Sequence, residues 1–243
     1  MGKLYVVGFG PGNAENMTEA CRICLQKADV IVGYSGYVKL VQPLYPEKNY
    51  FESGMTQEKE RCQSAIKFAE DGQTVCVISS GDSGVYGMAT LIFELAGETS
   101  GIEIEIIPGV TAAVSGAALL GAPLSNDFAV ISLSDLLTTW ETIEKRLRAA
   151  ASGDFSICLY NAGSKKRAGH LQAACDILMD NIPSNRLCGI AKDIGKEGQS
   201  VSLMTLGELR EKQADMTETV FIGNSGTRKI NGHMVTPRGY RND

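Results

Sequence analysis

The sequence has no long apolar run, and this absence excludes a membrane-spanning helix. A helix that crosses a bilayer needs about 20 consecutive apolar residues, and no stretch of the 243 residues approaches that length. An excess of positive charge is also missing, since the net charge is −5 at pH 7. General nucleic-acid binding needs a concentrated positive surface. We therefore expect neither a membrane nor a nucleic acid as a partner.

Signals for export and lipid attachment are absent from the first residues. Met1-Gly2-Lys3 leads directly into an apolar segment without a small-residue cleavage site. Val6 stands where a myristoylation signal has serine or threonine. We therefore expect a cytoplasmic location. The seven cysteines, an odd number, are then expected to be reduced thiols.

Histidine is scarce, and nothing in the sequence favours a metal site. We expect His170 and His233, the two histidines, to be surface or packing residues. Cys21 and Cys24 form a CxxC pair within a helical pattern, but no second pair accompanies them. A buried helix face explains this spacing better than zinc or redox chemistry. We predict no metal bound by protein side chains.

Short apolar runs alternate with helical patterns in the first half. The apolar runs end at glycine or another small residue, and amphipathic segments follow them. This alternation is typical of an α/β fold with a parallel sheet. The predicted strands are 4–7, 30–32, 74–79 and 102–107, and the predicted helices are 18–27, 57–70 and 88–96.

A change of pattern near Gly121-Ala122-Pro123-Leu124 indicates a domain boundary. Further strand and helix patterns follow it, without repeats or a long linker. We predict two α/β domains, residues 1–123 and 124–243, that share a cleft. The predicted elements of the second half are strands 128–132, 156–160, 187–191 and 219–222 and helices 140–150 and 171–179.

Three loops rich in small residues follow strands of the first half, at 8–13, 79–87 and 108–113. Pro11 removes a backbone donor from the first loop, and its spacing departs from the GxGxxG fingerprint. A dinucleotide-phosphate site is therefore disfavoured. Since ligands of open α/β sheets bind outside the carboxyl ends of strands, we expect the three loops to line one small-molecule site.

Two carboxylates in these patterns have two interpretations each. Asp82 follows a strand and precedes a helix, so it is either an N-cap or a residue that shapes the ligand pocket. Asp135 follows Ser134 and precedes an apolar pair, so it is either an N-cap or an acid–base group. The sequence leaves both alternatives open.

Together, these motifs resemble the tetrapyrrole methylase family, the class III S-adenosylmethionine-dependent methyltransferases, over essentially the whole chain. The GxGPG opening of the family matches 8–12, its GD segment matches 81–85, and its PGxT/S segment matches 108–111. Segments 127–138 and 235–240 are similar to the branch that methylates C17 of a corrin precursor.

The resemblance implies methylation of C17 of precorrin-3B or cobalt-factor III, with contraction of the macrocycle, on the route to cobalamin. It implies S-adenosylmethionine as the methyl donor and S-adenosylhomocysteine as the product, with cobalt present only as part of the substrate. It also implies a tetrapyrrole as the small-molecule partner, a homodimer, and an active site in the cleft between the two domains.

The resemblance also assigns residues to the site. Around the methyl donor it implies Pro11, Gly81, Asp82, Val85, Thr111, Ala112, Tyr160, Ala191 and Asn224. For the proton transfers of ring contraction the candidates are Asp82, Asp135 and Tyr160. Because the substrate carries many carboxylates, basic groups are expected to bind it. The candidates are Arg61, Lys165, Lys166, Arg167 and Lys192.

Other functions are compatible with the same motifs. A family member could methylate another macrocycle carbon or the diphthamide precursor on a protein. A protein of a different class could bind or carry a tetrapyrrole without catalysis, and such a protein would not bind the methyl donor. Segments 127–138 and 235–240 favour the C17 assignment.

Overall fold

The computed structural model describes residues 2–98, 101–164 and 168–240. The chain divides into two compact units, residues 1–111 and 112–243. Within the described ranges, no helix is long and apolar enough to cross a membrane.

The first unit contains a five-stranded parallel sheet with the strand order β3-β2-β4-β1-β5. Strands β1 and β4 are almost completely buried, which is why they read as continuous apolar runs. The strands are β1 (Lys3–Gly8), β2 (Val30–Tyr34), β3 (Asn49–Ser53), β4 (Thr74–Ser79) and β5 (Glu103–Ile107). The helices are α1 (Glu19–Lys27), α2 (Ser35–Val41), α3 (Glu58–Glu70) and α4 (Ala89–Ala96).

Successive side chains of each strand enter two separate hydrophobic clusters, because neighbours along a strand point to opposite faces of the sheet. Val7 and Ile78 pack with Leu25 of α1 in one cluster. Val6 and Val77 pack with residues of α3 and α4 in the other. Helices therefore cover both faces of this sheet.

The second unit contains a mixed five-stranded sheet with the order β10-β9-β11-β8-β7. Within this five-stranded sheet only β7 and β8 pair in parallel, and the other neighbouring strands are antiparallel. The strands are β6 (Gly121–Ala122), β7 (Phe128–Ser132), β8 (Ser156–Tyr160), β9 (Leu187–Lys192), β10 (Ser200–Thr205), β11 (Glu218–Ile222), β12 (Arg228–Ile230) and β13 (His233–Val235). The helices are α5 (Ala112–Leu120), α6 (Trp140–Ser152), α7 (His170–Met179) and α8 (Leu206–Arg210).

Helix α5 belongs to the second unit. Its Ala117 and Leu120 pack in one cluster with Cys158 and Phe221. At Gly116 an added Cβ would lie 2.9 Å from the Phe221 ring, so this glycine permits the close approach. The compact units therefore divide before α5, whereas the boundary predicted at 123/124 assigned this helix to the first domain.

A small three-stranded sheet, with the order β12-β13-β6, connects the end of the described chain to the segment after α5. The hydroxyl of buried Thr236 donates to the Pro123 carbonyl oxygen at 2.7 Å and lies 2.7 Å from the Thr227 hydroxyl. The segment Val235-Thr236-Pro237 is thus held by buried polar contacts.

All seven cysteines are buried and unpaired with one another. Burial raises the pKa of Cys21 to about 12 and that of Cys62 to about 11. The expectation that the CxxC pair lies on a buried helix face is confirmed, since Cys21 and Cys24 are 0% and 5% exposed. Among the described residues, no three His, Cys, Asp or Glu side chains group closely enough to hold a metal ion.

Candidate functional site

The three small-residue loops lie side by side at the carboxyl edge of the first sheet, because β4, β1 and β5 are neighbours in it. Gly10 N–H donates to the Gly81 carbonyl at 3.0 Å, and Gly81 N–H donates to the Gly10 carbonyl at 2.7 Å. Both residues have positive φ angles, +82° and +68°, which glycine adopts at no steric cost. The first loop is thereby fixed against the second.

The third loop approaches the other two so closely that no side chain fits between them. A Cβ on Gly109 would lie 2.1 Å from the carbonyl oxygen of Gly81 and 2.4 Å from that of Gly8. A Cβ on Gly8 would lie 2.6 Å from the Gly81 oxygen. The glycines at these positions are therefore explained by the packing of three main chains against one another.

Asp82 connects the second and third loops through its carboxylate. Its Oδ1 accepts from Gly84 N–H at 2.8 Å, and its Oδ2 accepts from Gly109 N–H at 2.9 Å. Helix α4 begins at Ala89, and its N-cap residue is Met88. The N-cap interpretation of Asp82 is therefore wrong, and its carboxylate instead fixes the positions of two loops.

Ser83 adds a buried contact that the sequence interpretation did not include. It is fully buried, and its hydroxyl donates to the Val6 carbonyl oxygen at 3.0 Å. Its own carbonyl accepts from Ala89 N–H at 3.0 Å. Ser83 therefore connects β1 to the beginning of α4. Its position next to Asp82 in a loop of small hydroxyls and glycines was the available signal.

Arg61, a predicted substrate-binding residue, is almost completely buried. It is 3% exposed because it lies on the face of α3 that packs against the sheet. Its Nε donates to Ser53 Oγ at 2.9 Å, and Nη2 donates to the Gly54 carbonyl at 2.8 Å. The guanidinium therefore holds the turn between β3 and α3.

In the second unit, Tyr160 contacts the beginning of α5. Its hydroxyl oxygen accepts from the Ala113 N–H at 2.6 Å. The first N–H groups of a helix lack partners within it, and this contact supplies one. Tyr160 is thus close to Ala112, another predicted donor contact. Ala191 is fully buried within β9, in the same hydrophobic cluster as Ala113.

Asn224 and Tyr160 lie at opposite ends of two neighbouring strands of the second sheet. Strand β11 runs antiparallel to β8, pairing Ile222 with Ile157, so the end of β11 is beside the start of β8. The five residues of β8 span about 17 Å at 3.3–3.4 Å per residue. Asn224 Oδ1 accepts from Gly226 N–H at 3.0 Å. The second unit therefore places these two predicted donor contacts about 17 Å apart.

Lys192 is already paired with acidic groups. Its Nζ lies 2.6 Å from Asp215 Oδ2 and 3.8 Å from Glu218 Oε1. The hydrogen bond to Asp215 raises the pKa of Lys192. Lys192 is therefore neutralised within its own unit. Lys165, Lys166 and Arg167, the other predicted basic group, lie outside the described residues.

Asp135 faces a histidine. Helix α6 begins at Trp140, and the hydroxyl of its N-cap, Thr139, accepts from Thr142 N–H at 3.4 Å. The N-cap interpretation of Asp135 is therefore wrong. Its Oδ2 lies 3.7 Å from Nε2 of His170. The sequence predicted only a packing or surface role for His170. The sequence has just two histidines, and this scarcity was the one available signal of another role.

These features define an α/β protein in which three small-residue loops meet at one edge of the first sheet, held mainly by main-chain contacts. The chain belongs to the Tetrapyrrole (Corrin/Porphyrin) Methylases, whose sequence model matches residues 3–210. The family resemblance and the α/β fold class predicted from the motifs are confirmed.

Individual relatives match almost the whole chain. The probable cobalt-factor III C(17)-methyltransferase of Salmonella typhimurium is 45% identical over 98% of this chain and 99% of its own. The precorrin-3B C(17)-methyltransferase of a Sinorhizobium species is 38% identical over 98% and 97%. The crystal structure of the methyltransferase CobJ matches with a TM-score of 0.91 and 37% identity, covering 98% of this chain and 100% of that one.

Proposed function

We propose that this protein catalyses S-adenosylmethionine-dependent methylation of C17 of precorrin-3B or cobalt-factor III, with ring contraction, in cobalamin biosynthesis. The observation that carries the proposal is the near full-length identity of 45% and 38% to methyltransferases named for these two substrates. The confirmed family membership supports the same reaction class.

The chemistry of the three loops fits the proposed methyl donor. Residues 8–13, 79–87 and 108–113 contain no lysine or arginine, and Asp82 is their one charged residue. A sulfonium cation is favoured near carbonyl oxygens and a carboxylate and disfavoured near cations. When bound, the donor supplies an electrophilic methyl group. Pro11, Gly81, Asp82, Val85 and Thr111 are the first-unit residues that would hold it.

The task of the loop residues is to fix the donor in one position. Holding two reactants in line can lower a barrier by about 7–11 kcal/mol in well-oriented cases. The Gly10–Gly81 hydrogen bonds and the Asp82–Gly109 contact fix the main chain of all three loops. Such a site needs no nucleophilic side chain, because the macrocycle carbon attacks the methyl group directly.

In the second unit, the family resemblance implies four residues that would contact the methyl donor: Ala112, Tyr160, Ala191 and Asn224. Since Asn224 and Tyr160 lie about 17 Å apart along β8, they would contact different parts of a ligand. The family resemblance also supports a cytoplasmic homodimer, and any cobalt would enter within the macrocycle.

The proposal is tested by incubating the protein with S-adenosylmethionine and either precorrin-3B or cobalt-factor III. We expect a mass gain of one methylene and loss of the original chromophore, recorded by mass spectrometry and optical spectra. With a methyl donor labelled with ¹³C, NMR of the product should locate the new carbon at C17. Label at another carbon would assign a different methylase of the family.

Binding of the product S-adenosylhomocysteine separates an enzyme from a carrier. Isothermal titration should give saturable binding to the protein alone. If the macrocycle binds but S-adenosylhomocysteine does not, the protein is a tetrapyrrole carrier and the proposal fails.

A further inference from the structure

His170, the first residue of α7, lies against the loop that follows β7 in the same unit. Its Nδ1 is 2.9 Å from the Leu133 carbonyl oxygen, and its Nε2 is 3.7 Å from Asp135 Oδ2. Its ring centre is 4.8 Å from that of Trp140. One ring nitrogen is thus bound to backbone, and the other faces a carboxylate.

The contact with Leu133 fixes the tautomer of His170. A carbonyl oxygen only accepts hydrogen bonds, so Nδ1 must carry a hydrogen and donate it. The neutral ring then has its lone pair on Nε2, which faces the Asp135 carboxylate. The geometry presents Nε2 as a proton acceptor.

The surroundings of the ring also suit the imidazolium formed by proton uptake. The Leu133 carbonyl accepts from Nδ1–H, the Asp135 carboxylate carries the opposite charge, and the Trp140 ring packs at a tilt against the imidazole. An imidazole whose Nδ1–H donates to a backbone carbonyl has Nε2 left as its basic nitrogen.

The His170 contact lies beside Tyr160, a predicted site residue of the second unit. Strands β7 and β8 run in parallel and pair Ser132 with Tyr160, so the loops that follow them share one edge. Leu133 N–H donates to the Tyr160 carbonyl at 2.9 Å, which holds the His170 contact beside Tyr160. The side chains of His170 and Asp135 are 21% and 44% exposed, so a ligand can reach them.

We propose that His170 is the general base that accepts the proton lost by the macrocycle on methylation, and that Asp135 is a positioning residue that pairs with the protonated ring. The inference rests on the proposed methyl transfer. In that step the sulfonium S–CH₃ bond breaks, and an electron pair of the macrocycle forms the new C–CH₃ bond. The macrocycle then loses one proton to Nε2, so the positive charge of the sulfonium ends on the His170 imidazolium. His170 then releases the proton to solvent.

The first experiment replaces His170 and uses the second histidine as a matched control. We expect His170→Ala to lower kcat by about 10²- to 10⁴-fold with KM for the macrocycle little changed. Added imidazole should restore kcat in proportion to its concentration, which a purely structural role does not predict. His233→Ala, at an exposed position of β13, should keep wild-type kcat and show no response to imidazole.

A second variant separates loss of the base from loss of the fold. His170→Asn keeps an N–H group able to reach the Leu133 carbonyl but has no basic nitrogen. It should be as inactive as His170→Ala, with wild-type thermal unfolding and S-adenosylhomocysteine affinity.

The role of Asp135 is tested by non-additivity. Asp135→Asn should lower kcat less than His170→Ala does. The double variant should lose no more than His170→Ala alone, because a positioning residue has no effect once the base is absent.

The outcomes distinguish this inference from the proposed function. If the wild-type protein methylates neither macrocycle, the proposed function fails. If it does methylate one, and folded His170→Asn keeps wild-type kcat or His170→Ala does not respond to imidazole, His170 is not the base. Additive losses in the double variant would remove Asp135 from the assignment.

Discussion

The contact among the three loops of the first unit predicts a large effect of Gly109→Ala. The new Cβ would lie 2.1 Å from the Gly81 carbonyl oxygen and 2.4 Å from the Gly8 carbonyl oxygen, whereas heavy atoms in favourable contact are about 3.5 Å apart. Both neighbours are main-chain atoms in strand-to-loop junctions, so no side-chain rotation relieves the overlap.

The size of the effect follows from these two overlaps. Overpacking a tight site costs about 1–3 kcal/mol, and we expect the upper end because three backbones must move. With a urea m-value of about 3 kcal/mol/M, a loss of 3 kcal/mol lowers the midpoint by about 1 M. The moved loops should also weaken S-adenosylhomocysteine binding by at least about tenfold, equivalent to about 1.4 kcal/mol.

The assay is urea unfolding together with isothermal titration of S-adenosylhomocysteine. Gly207→Ala is the matched control, because a Cβ there would meet Ser184 at 3.5 Å and Gly207 lies in α8 of the second unit. Its midpoint should stay or rise slightly, since alanine favours helix over glycine by about 1 kcal/mol. A Gly109→Ala protein with both unfolding and binding unchanged would refute the reasoning.

Three further changes test other contacts. Asp82→Asn leaves one of the Gly84 and Gly109 N–H groups without its acceptor. The free energy of unfolding should therefore fall by about 1–3 kcal/mol, and S-adenosylhomocysteine binding should weaken in titrations. If neither changes, the Asp82 carboxylate does not connect the two loops. Tyr160→Phe removes the acceptor of Ala113 N–H, so the free energy of unfolding measured in urea should fall by about 1 kcal/mol. A fall in kcat in addition would support the predicted catalytic role of Tyr160. Burial raises the pKa of Cys21 to about 12 and of Cys62 to about 11, so these thiols stay protonated below those values. At pH 8 a disulfide reagent should therefore label them only after the protein unfolds. Rapid labelling of the native protein would contradict their burial.

The elements predicted from the sequence were those with a strong burial pattern. Strands β1 and β4 are buried on both faces, and α3 and α6 carry charge on one side and apolar residues on the other, so their patterns were readable. Strand β3 lies at the edge of its sheet and is half exposed, which removes the apolar signal. Helix α5 consists of small and apolar residues, with no polar stripe to show its period.

The candidate site was predictable where it depends on backbone and not where it depends on folding distant segments together. Glycine and proline positions indicated the three loops, because main-chain packing leaves its mark in local sequence. The Asp135–His170 contact joins residues that local patterns cannot relate. The separation of Asn224 from Tyr160 depends on the antiparallel direction of β11, which no local motif encodes.

The hydrogen bonds from Gly84 and Gly109 to one carboxylate have a consequence for how the site can vary. A binding surface made of peptide groups is insensitive to the identity of side chains that point away from it. Tyr86, for example, lies in the second loop and is exposed, whereas the contacts that join the three loops are made by main-chain groups and by Asp82. Under the proposed function, the donor would be held by main-chain groups, so exchanging only exposed loop side chains should leave S-adenosylhomocysteine affinity unchanged.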